Sequence, residues 1–171
     1  MNDEEIERVL DAYAQRIADL KRDARFKYVT VFKNQGAQAG EEWPHAHSQI
    51  TATTFVPRRI LYELRAAREW YRDRERCVFC DILRQEIRQA KRVVDNAGDY
   101  YAFCPYASRV PYEVWLMPKT HNHQFESQQA GRTGAIWPIC WVERCDGFLN
   151  FRIAITWCCT PLPTRCRPRE N

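Results

Sequence analysis

All four histidines of the chain fall in two pairs, His45-Ala46-His47 and His121-Asn122-His123. Side chains on a β-strand alternate faces, so a strand through the first pair would align His45, His47 and Gln49 on one face and Ala46, Ser48 and Ile50 on the other. Two imidazoles and an amide in a row, after a Gly-containing loop and Pro44, suit catalytic or metal chemistry, because a neutral imidazole is both a nucleophile and a common metal ligand. A satisfied structural histidine is the plainer alternative. The second constellation is Cys77-Val78-Phe79-Cys80, with His121 far downstream. Two thiolates at that spacing can bind one tetrahedral zinc from a tight turn, and His121 can add a third ligand. A thioredoxin-like redox pair is a rival, although no strand-helix-strand pattern precedes the motif. Two thiols packed as small apolar residues are the third reading. Cys104 has no partner at useful spacing and is assigned to the core.

The elements that must position these groups are partly legible. Ile6, Val9, Leu10, Tyr13, Ile17 and Leu20 recur at helical spacing behind Asn2 and Asp3, which predicts an amphipathic N-terminal helix. Tyr28 to Phe32 reads as a strand, Asn34-Gln35-Gly36 with Gly40 as a turn-rich loop, and about His45 to Phe55 as a second strand closed by Pro57. Arg59 to Arg76 returns to helical period through Ile60, Leu61, Leu64, Ala67 and Tyr71. Three more strands are predicted at Arg92 to Val94, Tyr100 to Cys104 and Tyr112 to Met117.

At 171 residues, 45% hydrophobic and 28% charged, the chain has the composition of one ordinary soluble domain or two small ones. Its +4 charge, from 26 Lys plus Arg against 22 Asp plus Glu, forces no nucleic-acid partner. The seven arginines from Arg58 to Arg76 read as a solvated face neutralised by Glu63, Glu69, Asp73 and Glu75. No run approaches the ~20 apolar residues of a membrane span, and the acidic start, Met1-Asn2-Asp3-Glu4-Glu5, is unlike a signal peptide. The expectation is a cytoplasmic protein with neither a membrane nor a nucleic-acid partner. Eight cysteines suggest a disulfide framework only in a secreted chain, and nothing points to secretion.

The stretch Phe32-Lys33-Asn34-Gln35-Gly36, a short loop, then His45-Ala46-His47-Ser48-Gln49 resembles the active-site segment of the galactose-1-phosphate uridylyltransferase family, in the histidine-triad superfamily. Cys77 to Cys80, the strand-rich Tyr100 to Pro105, and Glu113 through Met117 to His121 resemble the start of that family's second half-domain. The likeness covers about residues 6 to 126. It implies an α+β fold, a histidine-triad-like antiparallel sheet with flanking helices, incomplete at both ends. It implies that His47 attacks the α-phosphorus of UDP-glucose, that glucose 1-phosphate leaves, and that a hexose 1-phosphate takes the uridylyl group. Asn34, Gly40 and Gln49 match substrate-contacting positions, and Gln49 stands where the hydrolytic relatives have a third histidine. An amide donates to a phosphoryl oxygen but cannot shuttle protons, which suits transfer better than hydrolysis. His45 matches a zinc ligand, and Cys77, Cys80 and His121 match a second zinc site. A homodimer is the common family assembly. Two rival functions are a nucleotide-sugar or dinucleotide phosphorylase of the same superfamily and a non-catalytic zinc-binding fragment. One departure is Glu41-Glu42-Trp43, where the family carries a small hydroxyl or similar residue; two carboxylates there repel a diphosphate unless they turn outward.

The resemblance divides the chain into 1–57, the end of the first half-domain; 58–76, a connecting helix; and 77–126, the start of the second half-domain. Each zinc site then lacks ligands at one end of the chain. Residues 127–171 differ in composition, with five cysteines, three tryptophans and neither Lys nor His after Ser127. Trp157-Cys158-Cys159-Thr160-Pro161 requires TGG TGY TGY ACN CCN. One base earlier this reads Leu, Met or Val, then Val-Leu, then His or Tyr, an apolar run into a histidine such as the family carries near this point. The tail is therefore read as out-of-frame sequence, against a genuine Cys-rich tail.

Overall fold

A computed structural model describes residues 3–36, 39, 41–43, 45, 47–109, 113–122, 124–126 and, for the backbone, 151–158. The chain splits into two units, Met1–Val56 with Gln124–Thr160 and Pro57–His123 with Pro161–Asn171.

In the first unit the N-terminal stripe forms helix α1 (Asp3–Lys21). Ile6, Leu10 and Ile17 are buried along it. They follow helical spacing, so one face can leave water while the acidic and basic residues stay solvated. Ile17 packs with Val29 and Val31 of strand β1 (Tyr28–Gln35), and Tyr13, Leu20, Ala52 and Phe125 complete the cluster. Strand β1 is the centre of a sheet, flanked antiparallel by β2 (Gln49–Thr53) on one side and β6 (Phe151–Cys158) on the other. Close by Phe125 in sequence, Glu126 forms a partly buried ion pair with Lys21 at the end of α1.

The second strand starts later than its sequence suggests. The β1–β2 ladder ends at the pair Phe32↔Gln49, while β1 itself continues to Gln35 against β6. Beyond it Gly36 takes φ 85°, a left-handed conformation that glycine adopts at little cost. His45 and His47 therefore lie in the loop before β2, not in the strand, and the expected row of His45, His47 and Gln49 on one strand face is corrected.

In the second unit α2 (Arg58–Arg74) begins directly after Pro57 and stops at Glu75, whose φ of 55° breaks the helical path. Helix α3 (Val78–Gln89) follows, with Cys77 as its N-cap. Sequence periodicity does not reveal this helix. Phe79, Ile82 and Leu83 start an apolar stripe, but the next turn places Glu86 on it. The structure buries Glu86 to 2% exposure and satisfies it with Arg92, whose Nε and terminal nitrogen donate to the two carboxylate oxygens at 2.8 and 2.9 Å. A charge inside an apolar stripe is tolerated when it is paired in this bidentate way.

A three-stranded antiparallel sheet completes the unit, in the order β3 (Val93–Ala97), β4 (Tyr100–Phe103), β5 (Trp115–Pro118). Gly98 (φ 53°) and Asp99 form the two-residue turn between β3 and β4. Tyr100, Ala102 and Phe103 are buried, and Phe103 meets Trp115 edge-to-face at 6.1 Å. Cys104 is half-buried just past β4, not in the core proper.

Removing the partner of a buried carboxylate strands its charge. Arg92→Met is expected to lower unfolding stability, because it leaves the buried Glu86 carboxylate without its partner. The double change Glu86→Leu/Arg92→Met should recover most of that loss. Urea denaturation of both variants tests this, and equal losses would contradict it.

Candidate active site and metal centre

The loop after β1 is built from its own backbone outward. Asn34 is half-buried near the end of β1. The Gly36 N–H donates to the Glu41 carboxylate at 2.7 Å, while Ala39 and Glu41 N–H groups donate to the Gly36 carbonyl at 3.0 and 3.3 Å. Glu41 thus closes the loop on itself and spends one carboxylate oxygen on a backbone amide, while Glu42 and Trp43 are exposed. The acidic departure from the family pattern splits into an inward loop clasp and a solvated residue. Gly40 lies outside the described residues.

His47 is half-buried, and its Nδ1 lies 2.9 Å from the carbonyl oxygen of His45. A carbonyl can only accept, so this bond assigns the proton to Nδ1 and leaves the lone pair on Nε2. The His45 carbonyl, which a strand would use in its ladder, is instead taken by this ring. The His45 ring is exposed, 5.7 Å from that of His47 between centroids and tilted by 51°. Gln49, two residues past His47, is half-buried as the first residue of β2. Asn34 and His47 each lie two residues beyond the last β1–β2 pair, so the ladder brings both to one end of the sheet.

Ser48 hydrogen-bonds to the Tyr13 hydroxyl on α1. Burial pushes the Tyr13 phenol above its ordinary value of 10.0, which keeps it protonated. This contact anchors the residue next to His47 to the helix, and nothing in the sequence distinguishes Tyr13 from the other stripe residues. Tyr13→Phe is expected to leave folding intact but to cost about 1 kcal/mol of loop order, read as a several-fold drop in kcat with KM little changed. An unchanged kcat would remove that role.

The second constellation also assembles. Cys77 caps α3 and Cys80 sits in its first turn, three residues on, which turns both sulfurs to one side of the helix. His121 follows β5, and its Nδ1 is 3.2 Å from the Cys80 sulfur. The ligand atoms of Cys77, Cys80 and His121 lie within 4.8 Å of one another. A hydrogen bond from Cys80 draws the Cys77 thiol down to about 5. Burial opposes this, while the Cys80 and Phe79 amides at the helix N-terminus and the His121 charge assist. Zn–S bonds of about 2.3 Å and Zn–N bonds of about 2.0 Å place tetrahedral donors roughly 3.5 Å apart. The donor set therefore fits zinc. The expected tight turn is corrected to a helix N-terminus. Both cysteines are half-buried and the Cys80 sulfur meets the His121 ring, which suits ligation better than packing as small apolar residues. Among the described residues His45 belongs to no such cluster.

Residues 1–57 match the family described as galactose-1-phosphate uridyl transferase, N-terminal domain. The chain is 35% identical over 117 residues to the galactose-1-phosphate uridylyltransferase of Thermotoga maritima, covering 68% of this chain and 36% of that one. It is 32% identical, again over 117 residues, to an ADP-glucose phosphorylase of Arabidopsis thaliana, covering 68% of this chain and 32% of that one. A solved uridylyltransferase structure superposes with a TM-score of 0.84 at 26% identity, over 96% of this chain and 53% of that one. The ADP-glucose phosphorylase from Arabidopsis thaliana with bound ADP-glucose shares the fold, with a TM-score of 0.78 at 24% identity over 91% and 50%. The α+β class and the partial extent expected from the sequence both hold, since the chain spans about a third of the length of the curated relatives it matches. The family match over residues 1–57, the sequence similarity and the shared fold agree: the chain belongs to the galactose-1-phosphate uridylyltransferase family and spans part of its length.

Proposed function

We propose that this chain carries the uridylyl-accepting histidine of a UDP-glucose:hexose-1-phosphate uridylyltransferase, acting in galactose metabolism in the cytoplasm. The observation that carries the reading is the 2.9 Å bond from His47 Nδ1 to the His45 carbonyl, which presents Nε2 as the nucleophile. Nε2 attacks the α-phosphorus of UDP-glucose; an N–P bond forms and the P–O bond to glucose 1-phosphate breaks. The phosphate oxygen of a hexose 1-phosphate then attacks the same phosphorus, and His47 leaves as the neutral imidazole it was. Through both steps Gln49 and Asn34 donate hydrogen bonds to the nucleotide's phosphoryl groups, and Gly40 belongs to the same phosphate loop. Donors fixed in advance favour the charge that grows on those oxygens.

Cys77, Cys80 and His121 would hold zinc, and His45 would serve a second zinc site. Zinc in such a set supplies structural cross-linking, drawing two distant chain segments to one point. A metal on the His45 ring would also steady the peptide whose carbonyl orients His47.

Within the chain we assign 1–57 and 77–126 to successive half-domains and 58–76 to their connection. The stretch 127–171 is assigned to out-of-frame sequence. Strand β6 is compatible with that assignment, because ladder hydrogen bonds use main-chain groups and an open sheet edge accepts β-prone segments of any origin. Nucleotide sequence through codon 127 tests it: a shifted frame that continues into a His-containing half supports the assignment, and one closed by early stops contradicts it.

A phosphorylase is the second reading, favoured by the similarity to ADP-glucose phosphorylase. It would use His47 in the same way but take inorganic phosphate as acceptor. Radiolabelled UDP-glucose and ADP-glucose, each offered with galactose 1-phosphate or with inorganic phosphate, separate the readings by product. UDP-galactose formation supports the transferase; nucleoside diphosphate formation from ADP-glucose and phosphate supports the phosphorylase. No product from either donor, with zinc bound, leaves a non-catalytic zinc-binding fragment.

A further inference from the structure

The second unit holds a cavity of about 390 Å³ lined by the C-terminal part of α2 and the exposed face of α3. Its charged lining is Arg74, Arg76, Arg84 and Arg88 against the single acid Asp81, and two glutamine amides complete the wall. Asp81 organises the floor. It accepts from Trp70 Nε1 at 3.1 Å and pairs with Arg76 at 3.2 Å and with Arg84 at 3.0 Å. Arg74 stacks its guanidinium over the Trp70 ring at 5.0 Å. Arg88 follows Arg84 by one helical turn, so both reach the same wall. One carboxylate cannot neutralise four guanidinium groups, and Glu69, Asp73 and Glu75, expected from the sequence to balance this face, do not line the cavity.

We propose that this cavity is a binding site for a small, multiply charged phosphate compound. Planar guanidinium groups recognise phosphate oxygens in pairs, and Asp81 holds two of the four in place before a ligand arrives. The volume lies within the small-molecule range. Nucleic acid is disfavoured, because the indole face of Trp70 is already covered by Arg74 and offers no stacking platform. An acidic peptide is disfavoured by the lining, which has no aliphatic pocket for an anchor residue.

The test is calorimetric titration of the whole chain with inorganic pyrophosphate at physiological ionic strength, alongside Arg74→Gln/Arg88→Gln. Both side chains are exposed, so the double variant should fold normally, which circular dichroism checks. Pyrophosphate binding that weakens at least about tenfold in the variant is expected, since two charge-assisted contacts are removed. No binding to the wild type, or equal binding to both proteins, overturns the proposal. So does binding of an acidic peptide or a DNA duplex that the variant abolishes while pyrophosphate fails to bind.

Discussion

His47→Asn is expected to remove nucleotidyl transfer, with a fall in rate of at least about 10⁴-fold, while leaving the zinc content unchanged. Loss of a covalent nucleophile is among the largest single-residue effects known for enzymes, because no other group supplies the bond that forms. An asparagine side chain can occupy the ring's place and can hydrogen-bond to the His45 carbonyl, but its amide nitrogen carries no usable lone pair. That substitution therefore separates orientation from nucleophilicity. Steady-state rates and metal analysis on one preparation read both quantities. Lost zinc with residual transfer would make His47 a ligand instead.

Cys77→Ser/Cys80→Ser has the second large expected effect. It should weaken zinc binding by more than about 100-fold, since even the loss of an outer-sphere partner costs 10–100-fold in many metal sites. Thermal melting should follow the metal. The wild type loses stability on chelation, the double variant does not respond, and the two melt alike without metal. If thiol oxidation and not chelation moves the wild-type melting temperature, Cys77 and Cys80 are a redox pair and the zinc assignment is wrong.

Much of the frame was legible because it follows simple periods. Ile6, Leu10, Tyr13 and Ile17 mark α1 by their spacing, and Val29 and Val31 share one face of β1. The Cys77, Cys80 and His121 cluster was legible from ligand type alone, although 41 residues separate Cys80 from His121. What periodicity missed has physical causes. Glu86 interrupts the apolar stripe of α3 and is allowed there only because Arg92, six residues on, reaches back to it. His45 and His47 look like alternating strand residues, yet a ring-to-carbonyl bond two residues apart folds them into a loop. That local bond competes with the sheet ladder and has no signature in residue type. The clasp of Glu41 on the Gly36 amide is of the same kind. The arginines from Arg58 to Arg76 are exposed and Asp73 pairs with Arg72, as the charge pattern suggests, but the pattern gives no sign that Arg74 and Arg76 meet Arg84 and Arg88 of the next helix around Asp81. Among the described residues no helix is long and apolar enough to cross a membrane, in line with the apolar run lengths of the sequence.

His47 Nε2 is expected to form a covalent bond to the uridylyl phosphorus. Mixing the chain with UDP-glucose in the absence of an acceptor, quenching in alkali and mapping the peptides by mass spectrometry tests it directly. The expected result is one uridylyl group on the peptide that carries His47, lost when galactose 1-phosphate is added before the quench. A uridylyl group on any other residue, or none on a chain that still turns over UDP-glucose, would contradict it.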